Sequence, residues 1–420
     1  MVSKIFKKGF FLRKRLKFVK RLGLSDQFLT HYFKFLFHLT LYNFSKLFRG
    51  KVDDNLIVLG GNYGKSFGGN TKYLYFYLKE NTNYKLFWVT NSKPLLKKLQ
   101  EQGINAIPRY SLKTIRILRR ARAVFVTHGH VDVLAIKYSP RTVFVQTWHG
   151  GDIKKSDIST TPYVNNILYS NLAKFLRLNL RYHQFFDYML CHSKEEKHIR
   201  ILAEANKFPI KRILPFGYPR NDIFFSKDKM LKENLRKKYH IENKFEKIIL
   251  YAPTFRNNFV AKFPLSDEEL LKLNNLMKET KTLFLLKAHM REKSVKFKEY
   301  ENIRIVDPDS DIQELLYITE VLISDYSSVF LDFLLLNKPI ILFPYDYDNY
   351  IKERGLNYNH LEEIAPGALI YSGDKLIDAI KKVSEIERVY ANKRLQMRDY
   401  FNAYNDGNSS KRLLKFLKLI

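Results

Sequence analysis

The sequence predicts an α/β protein made of two αβα domains, each built on a largely parallel sheet. Short runs rich in β-branched and aromatic residues recur along the chain, separated by stretches long enough for crossover helices. A charged segment with few apolar residues, following Ser226 and reaching Lys247, interrupts the series. The 420 residues suffice for two such domains, each with a substantial core.

In chain order, residues 1–50 form a basic amphipathic segment. Nine cations, beginning with Lys4 and including Lys7, Lys8, Arg13, Lys14, Arg15 and Lys17, precede the first acidic residue, Asp26. Phe11, Phe18 and other apolar residues alternate with them, so a helix here would show an aromatic patch rimmed by cations, the pattern of a peripheral membrane contact. The aromatic stretch that follows has only 11 uncharged residues between Lys34 and Lys46, too few to span a bilayer. Cations also run through the region where a signal peptide needs an apolar core.

The first strand series, LIVL, KLFWV, AVFVT, TVFVQ and YMLC, belongs to a domain over 51–235. The second, IILYAP, TLFLLKAH, IRIV, EVLIS and PIILFP, belongs to a domain over 236–420. Both-face burial of such strands implies helices on either side. Loops at the carboxyl ends of the strands are then the default place for chemistry, with the two domains facing each other across a cleft.

The formal charge of +31 and the pI near 9.8 favour anionic partners. A single cysteine excludes an internal disulfide framework. The glycine-rich GGNYGKSFGGN beginning at Gly60 has Leu59 where a Walker-type loop needs its first glycine, so a nucleoside-triphosphate site of that kind fails on register.

The strand-end motifs carry the chemistry. TVFVQTWHGGDIKK presents His149 at the end of a strand, where a near-neutral imidazole can take a proton, and Gly150 and Gly151 leave room beside it. Lys154 and Lys155 follow as cations for a phosphorylated ligand. VTHGH offers His128 and His130, but no third ligand nearby completes a metal set, so His130 is read as a lining or structural residue. In YAPTFRNN, Thr254 and Arg256 suit an anion, the arginine through its planar fork.

LFLLKAHM carries His289, a second strand-end imidazole. In VLISDYSSVFLDF a strand stops at Ser324 and Asp325 and a helix is predicted to start around Ser327 and Ser328. That turn exposes hydroxyls and amides to a diphosphate, with Asp325 ordering it and Asp332 one turn further on. Arg354, before Gly355, is a further phosphate candidate.

QTWHG with its following lysines, YAPTFR, LLKAH, SDYSSVFLDF, KPIILFPYD and the Arg-Gly pair occur in one order between about residues 55 and 370. Together they resemble the CDP-glycerol glycerophosphotransferase family of teichoic acid and capsule synthesis. The resemblance implies a GT-B-like pair of Rossmann-type domains, 51–235 on the acceptor side and 236–420 binding a CDP-activated polyol phosphate. It also implies a lipid-linked acceptor and peripheral attachment to the cytoplasmic face of the membrane. By the same resemblance His149 is the base, His289 supports the phosphoryl group, and Ser327 and Ser328 belong to the donor phosphate site. Two stretches depart from the family's habit: Gly151-Asp152-Ile153 stands where Thr-Pro-Leu is common, and Ala288 where proline often precedes the second histidine.

The expected reaction is attack by an acceptor hydroxyl on the polyol-bearing phosphorus with release of CMP. It requires no cofactor, and a divalent ion is left open. A GT-B glycosyltransferase acting on a nucleotide sugar would keep the same cleft and phosphate turn. A nucleic-acid-binding protein would account for the charge, although no recognised nucleic-acid motif is present. The choice between glycerol and ribitol phosphate, and between primase and polymerase, is open at this level.

Overall fold

Every apolar run named above becomes a strand, and each of these strands pairs in parallel with a neighbour. The computed structural model describes residues 40–48, 50–151, 153–155, 186–254, 264–287 and 300–420. The basic segment containing Lys7 to Phe18 lies outside these residues.

The first sheet comprises β1 (Asp53–Gly60), β2 (Lys85–Thr90), β3 (Ala106–Pro108), β4 (Ala121–Val126), β5 (Val143–Gln146), β6 (Tyr188–Leu190) and β7 (Ile213–Leu214), in the order β3-β2-β1-β4-β5-β6-β7. The second comprises β8 (Lys247–Tyr251), β9 (Thr282–Leu286), β10 (Ile303–Ile305), β11 (Val321–Ser324), β12 (Ile340–Leu342) and β13 (Ala368–Leu369), in the order β10-β9-β8-β11-β12-β13. The short strands β3, β7 and β13, of two or three residues each, are not among the runs read from the sequence.

Central strands are buried on both faces, as parallel sheets require. Leu56 to Gly60 of β1 and all of β9 are buried. In the second sheet the two faces feed separate cores. Ile248, Leu250, Leu285, Leu322 and Ile340 pack with Tyr326, Phe330 and Phe401, whereas Ile249, Tyr251, Phe284, Ile323 and Ile341 pack with Leu273, Met277 and Leu376. This division is the two-residue period of a strand expressed as two cores.

Helix starts follow local chemistry. Ser92 and Ser111 accept from Leu95 N and Thr114 N, and Ser266 with Glu269 makes a reciprocal capping box. Asp311 caps the helix Ile312–Ile318 through Gln313 N.

Among the described residues, the segments within 40–67, 78–146 and 186–188 form one compact unit, and those within 68–77, 147–155 and 189–420 form another. The segment after β5 is thus grouped with the unit that holds the whole second sheet.

Candidate active site

In that second unit the backbone after β5 turns abruptly. Trp148 adopts a left-handed conformation with φ of 59°, a costly geometry for a bulky residue that persists where its surroundings hold it. Those surroundings are side chains bonded to four successive carbonyls. Asn70 Nδ2 donates to Thr147 O at 2.7 Å and to Trp148 O at 3.0 Å. Arg220 Nη1 donates to His149 O at 2.8 Å, and the Tyr218 hydroxyl donates to Gly150 O at 2.8 Å. His149 itself is exposed at the head of this clamped turn, its ring 4.6 Å from that of Trp148.

The clamp has its own support. Asn70 Oδ1 accepts from Arg220 N at 3.2 Å. Arg220 Nη2 pairs with Asp332 at 2.8 Å, and both side chains are less than a tenth exposed. Asp332 also accepts from Asn221 Nδ2 at 2.9 Å and from Gln313 Nε2 at 2.8 Å. A buried carboxylate thus meets a guanidinium and two amides, the satisfaction that burial of charge demands.

The serine turn lies beside the clamped turn. The helix Val329–Phe333 begins one residue after Ser328 and continues as a tighter turn over Leu334–Leu336. Asp325, fully buried, accepts from Thr254 N at 2.8 Å and from Ser327 N at 3.2 Å, so one carboxylate ties the loop after β8 to the loop after β11. Ser327 and Ser328 are half-buried.

A Cβ placed on Gly150 would lie 3.2 Å from Ser328 Oγ, and one on Gly151 would lie 2.2 Å from Leu331 Cδ1. The space that the two glycines leave is therefore filled by the serine turn and its helix. This is a reason for glycine that differs from the open surroundings expected of the sequence.

A third loop completes the arrangement. Lys154 and Leu356 form an antiparallel bridge, Lys155 N donates to Gly355 O at 3.3 Å, and Asn357 N donates to Ile153 O at 2.8 Å. This pairing brings exposed Lys155 next to Gly355 and the exposed Arg354. Cations 199 residues apart in the chain, Lys155 and Arg354, thus border one turn.

The second unit therefore gathers His149, Gly150, Gly151, Thr254, Asp325, Ser327, Ser328, Asp332 and Arg354. His130 belongs to the first unit, where it is buried against Tyr138, Phe144 and Phe186. His289 and Arg256 lie outside the described residues. Lys287, at the end of β9, is buried with Nζ donating to Pro308 O at 2.5 Å, and its burial pushes the ammonium pKa down against the pull of Asp307, Asp309 and Asp311.

Sequence reading missed Asn70, Tyr218, Arg220, Asn221 and Gln313. The local signals were the glycine-rich run GGNYGKSFGGN, which ends in Asn70, and the run FGYPRND, a glycine and proline turn beside three polar residues. Gly217 there has φ of 78°, and a Cβ would meet Ser409 Oγ at 2.8 Å.

A family model described as CDP-glycerol:poly(glycerophosphate) glycerophosphotransferase matches residues 41–419. The chain belongs to this family. The teichoic acid poly(glycerol phosphate) polymerase of Bacillus spizizenii is 31% identical over 379 residues, covering 87% of this chain and 92% of that protein. The teichoic acid glycerol-phosphate transferase of Staphylococcus aureus is 28% identical over 382 residues, covering 89% and 95%. Among solved structures, that of the wall teichoic acid polymerase TagF superimposes with a TM-score of 0.75 at 23% identity, covering 93% of this chain and 97% of that one. Its likeness confirms an α/β fold with two parallel-sheet domains of the GT-B-like kind.

As a CDP-glycerol glycerophosphotransferase, the protein is an enzyme of polyol phosphate transfer; the glycosyl-transfer and nucleic-acid readings fall away. Among the described residues of this transferase, no helix is long and apolar enough to cross a membrane, and no group of three His, Cys, Asp or Glu could hold a metal ion.

Proposed function

We propose that this glycerophosphotransferase moves glycerol phosphate from CDP-glycerol to a hydroxyl of a lipid-linked teichoic-acid acceptor, with His149 as the base. The observation that carries this reading is the contact of two loops: the turn presenting His149 lies against the turn of Ser327 and Ser328, Gly150 beside the Ser328 hydroxyl. A proton acceptor and an amide- and hydroxyl-lined anion site are then neighbours.

In the proposed reaction His149 takes the proton of the acceptor hydroxyl as its oxygen attacks the phosphorus bearing glycerol. The bond from that phosphorus to the bridging oxygen breaks, CMP leaves with the bonding electrons, and a phosphodiester forms. Phosphoryl transfer needs mainly alignment and neutralisation of charge. Ser327, Ser328 and Thr254 are proposed to bind donor phosphate. Arg354, with Lys155 beside it, supplies positive charge; His289 takes its phosphoryl role from the family resemblance, and Arg256 is proposed for phosphate on the strength of its planar fork.

The acceptor is proposed to be membrane-bound, and the basic segment with Lys7, Lys8, Phe11, Arg13, Lys14, Arg15, Lys17 and Phe18 to hold the enzyme peripherally on the anionic cytoplasmic face. Each cation close to such a surface contributes about 1 kcal/mol.

The test is incubation of the purified chain with CDP-glycerol or CDP-ribitol and a lipid-linked acceptor, followed by mass spectrometry. CMP together with an acceptor heavier by glycerol phosphate is the expected result. Transfer from CDP-ribitol alone, or no transfer from either donor, would overturn the assignment.

A further inference from the structure

We infer that Arg220 is a positioning residue for the reaction: its guanidinium sets the backbone geometry of the His149 turn by bridging it to Asp332 on the helix of the serine turn. The inference rests on the proposed role of His149 and adds to it the group that aims the imidazole.

The geometry supports a positioning role more than a stabilising one. One terminal nitrogen of Arg220 donates to His149 O and the other pairs with Asp332, so one rigid fork spans two separate elements. Buried ion pairs add little net stability compared with apolar residues of the same volume, because desolvation offsets the attraction. A buried pair fixes direction instead, and here the group it fixes is the carbonyl of the residue proposed to move the proton.

The rest of the clamp agrees. Asn70 bonds to the two preceding carbonyls and receives the backbone N–H of Arg220, while Tyr218, two residues before Arg220, holds the following carbonyl. The Trp148 backbone, left-handed with φ of 59°, sits between these bonds. Without Arg220 the segment loses its link to Asp332 and can relax toward an ordinary backbone conformation. His149 would then be displaced while the serine turn, held by Asp325 through Thr254 N and Ser327 N, stays in place. The inference therefore expects turnover to fall and donor affinity to hold.

The chain has two tryptophans, Trp88 in the core of the first unit and Trp148 in the clamped turn, and this allows a direct readout. Labelling with 5-fluorotryptophan yields one fluorine resonance from each, assigned with Trp148→Phe. Arg220→Met is expected to move the Trp148 resonance and leave that of Trp88 in place. CMP release should fall about 100-fold in kcat with KM for CDP-glycerol changed by less than about threefold, and Arg220→Lys should recover part of the loss.

The inference is overturned if cooperatively folded Arg220→Met turns over within about threefold of the parent. It is equally overturned if the Trp148 resonance stays still while kcat falls, or if both resonances shift together. Should Arg220→Met not fold, Tyr218→Phe removes a single bond of the clamp and is expected to move the Trp148 resonance with a smaller loss of kcat; no change in either would sink the idea. A parent enzyme that releases no CMP from CDP-glycerol would refute the proposed function, whereas the fluorine shift would still decide whether Arg220 sets the turn.

Discussion

Gly151 and Leu331 meet so closely that a methyl group on the glycine would sit 2.2 Å from the leucine Cδ1. Leu331 is buried in the core that covers one face of the second sheet, which limits how far it can retreat. Gly151→Ala is therefore expected to lower stability by about 1–3 kcal/mol, the usual cost of overpacking, and to slow turnover by pushing the His149 turn away from the serine turn. Leu331→Ala destabilises alone, but the double variant should show a positive coupling because the cavity accepts the new methyl. Urea unfolding of all four proteins measures this, and strict additivity would mean that the two positions do not share the space.

Removal of the imidazole should expose its chemical role. His149→Ala is expected to reduce kcat by roughly 10²–10⁴-fold, the usual contribution of a positioned proton acceptor, while CDP-glycerol binding measured by calorimetry stays near the parent value. Near-parental turnover would exclude His149 as the base.

The pairing of Lys154 with Leu356 places Lys155 beside the Arg354 loop at the protein surface. Arg354→Gln is expected to raise KM for the phosphorylated substrates by about three- to tenfold, and Lys155→Gln by less, since an arginine fork grips phosphate better than a single ammonium. Exposed charges are screened, so the effect should shrink between low salt and about 0.5 M salt. An unchanged KM for both donor and acceptor would place this cluster outside the substrate path.

His192 and His198 lie buried near Phe401 with their rings 5.2 Å apart. Burial pulls the His192 pKa down to about 4 and that of His198 down to about 2, the latter helped by the adjacent His192, whose protonation would oppose its own, and by the Lys197 cation. Both are neutral in the fold, while the unfolded chain takes up protons below about pH 6.5. Stability should therefore fall on acidification from about pH 6.5 to 4.5, each histidine adding about 1.4 kcal/mol per pH unit to the slope. The carboxylate of Glu314, held down at about 2 by Lys72, Lys238 and Tyr239 in spite of its burial, loses its contribution only at lower pH. His198→Phe should flatten the slope by about one proton; parallel curves from urea titrations would rule out this source of acid sensitivity.

For the basic segment, replacing Lys7, Lys8, Arg13, Lys14, Arg15 and Lys17 with glutamate is expected to abolish flotation with vesicles rich in phosphatidylglycerol, while transfer to a short soluble acceptor continues. Flotation at the parental level would remove the segment from membrane attachment.

Much of this protein is written locally. The ten apolar runs carry the burial pattern of strands in their own residues, and the strand ends already point to His149, Asp325 and the serine turn, because a loop that follows a buried parallel strand emerges where ligands bind. The net charge and its concentration before Asp26 are likewise properties of composition. Which side chains hold His149 in place was decided only by the tertiary structure. Asn70 and Arg220 are 150 residues apart, and Asn221 lies 111 residues before Asp332. A polar residue destined to bond a distant carbonyl has the same local pattern as one facing water, so nothing near it in the chain distinguishes the two. Only when the crossovers have packed do Asn70, Tyr218 and Arg220 reach the turn after β5, and the need to satisfy its buried carbonyls then gives each of them its partner.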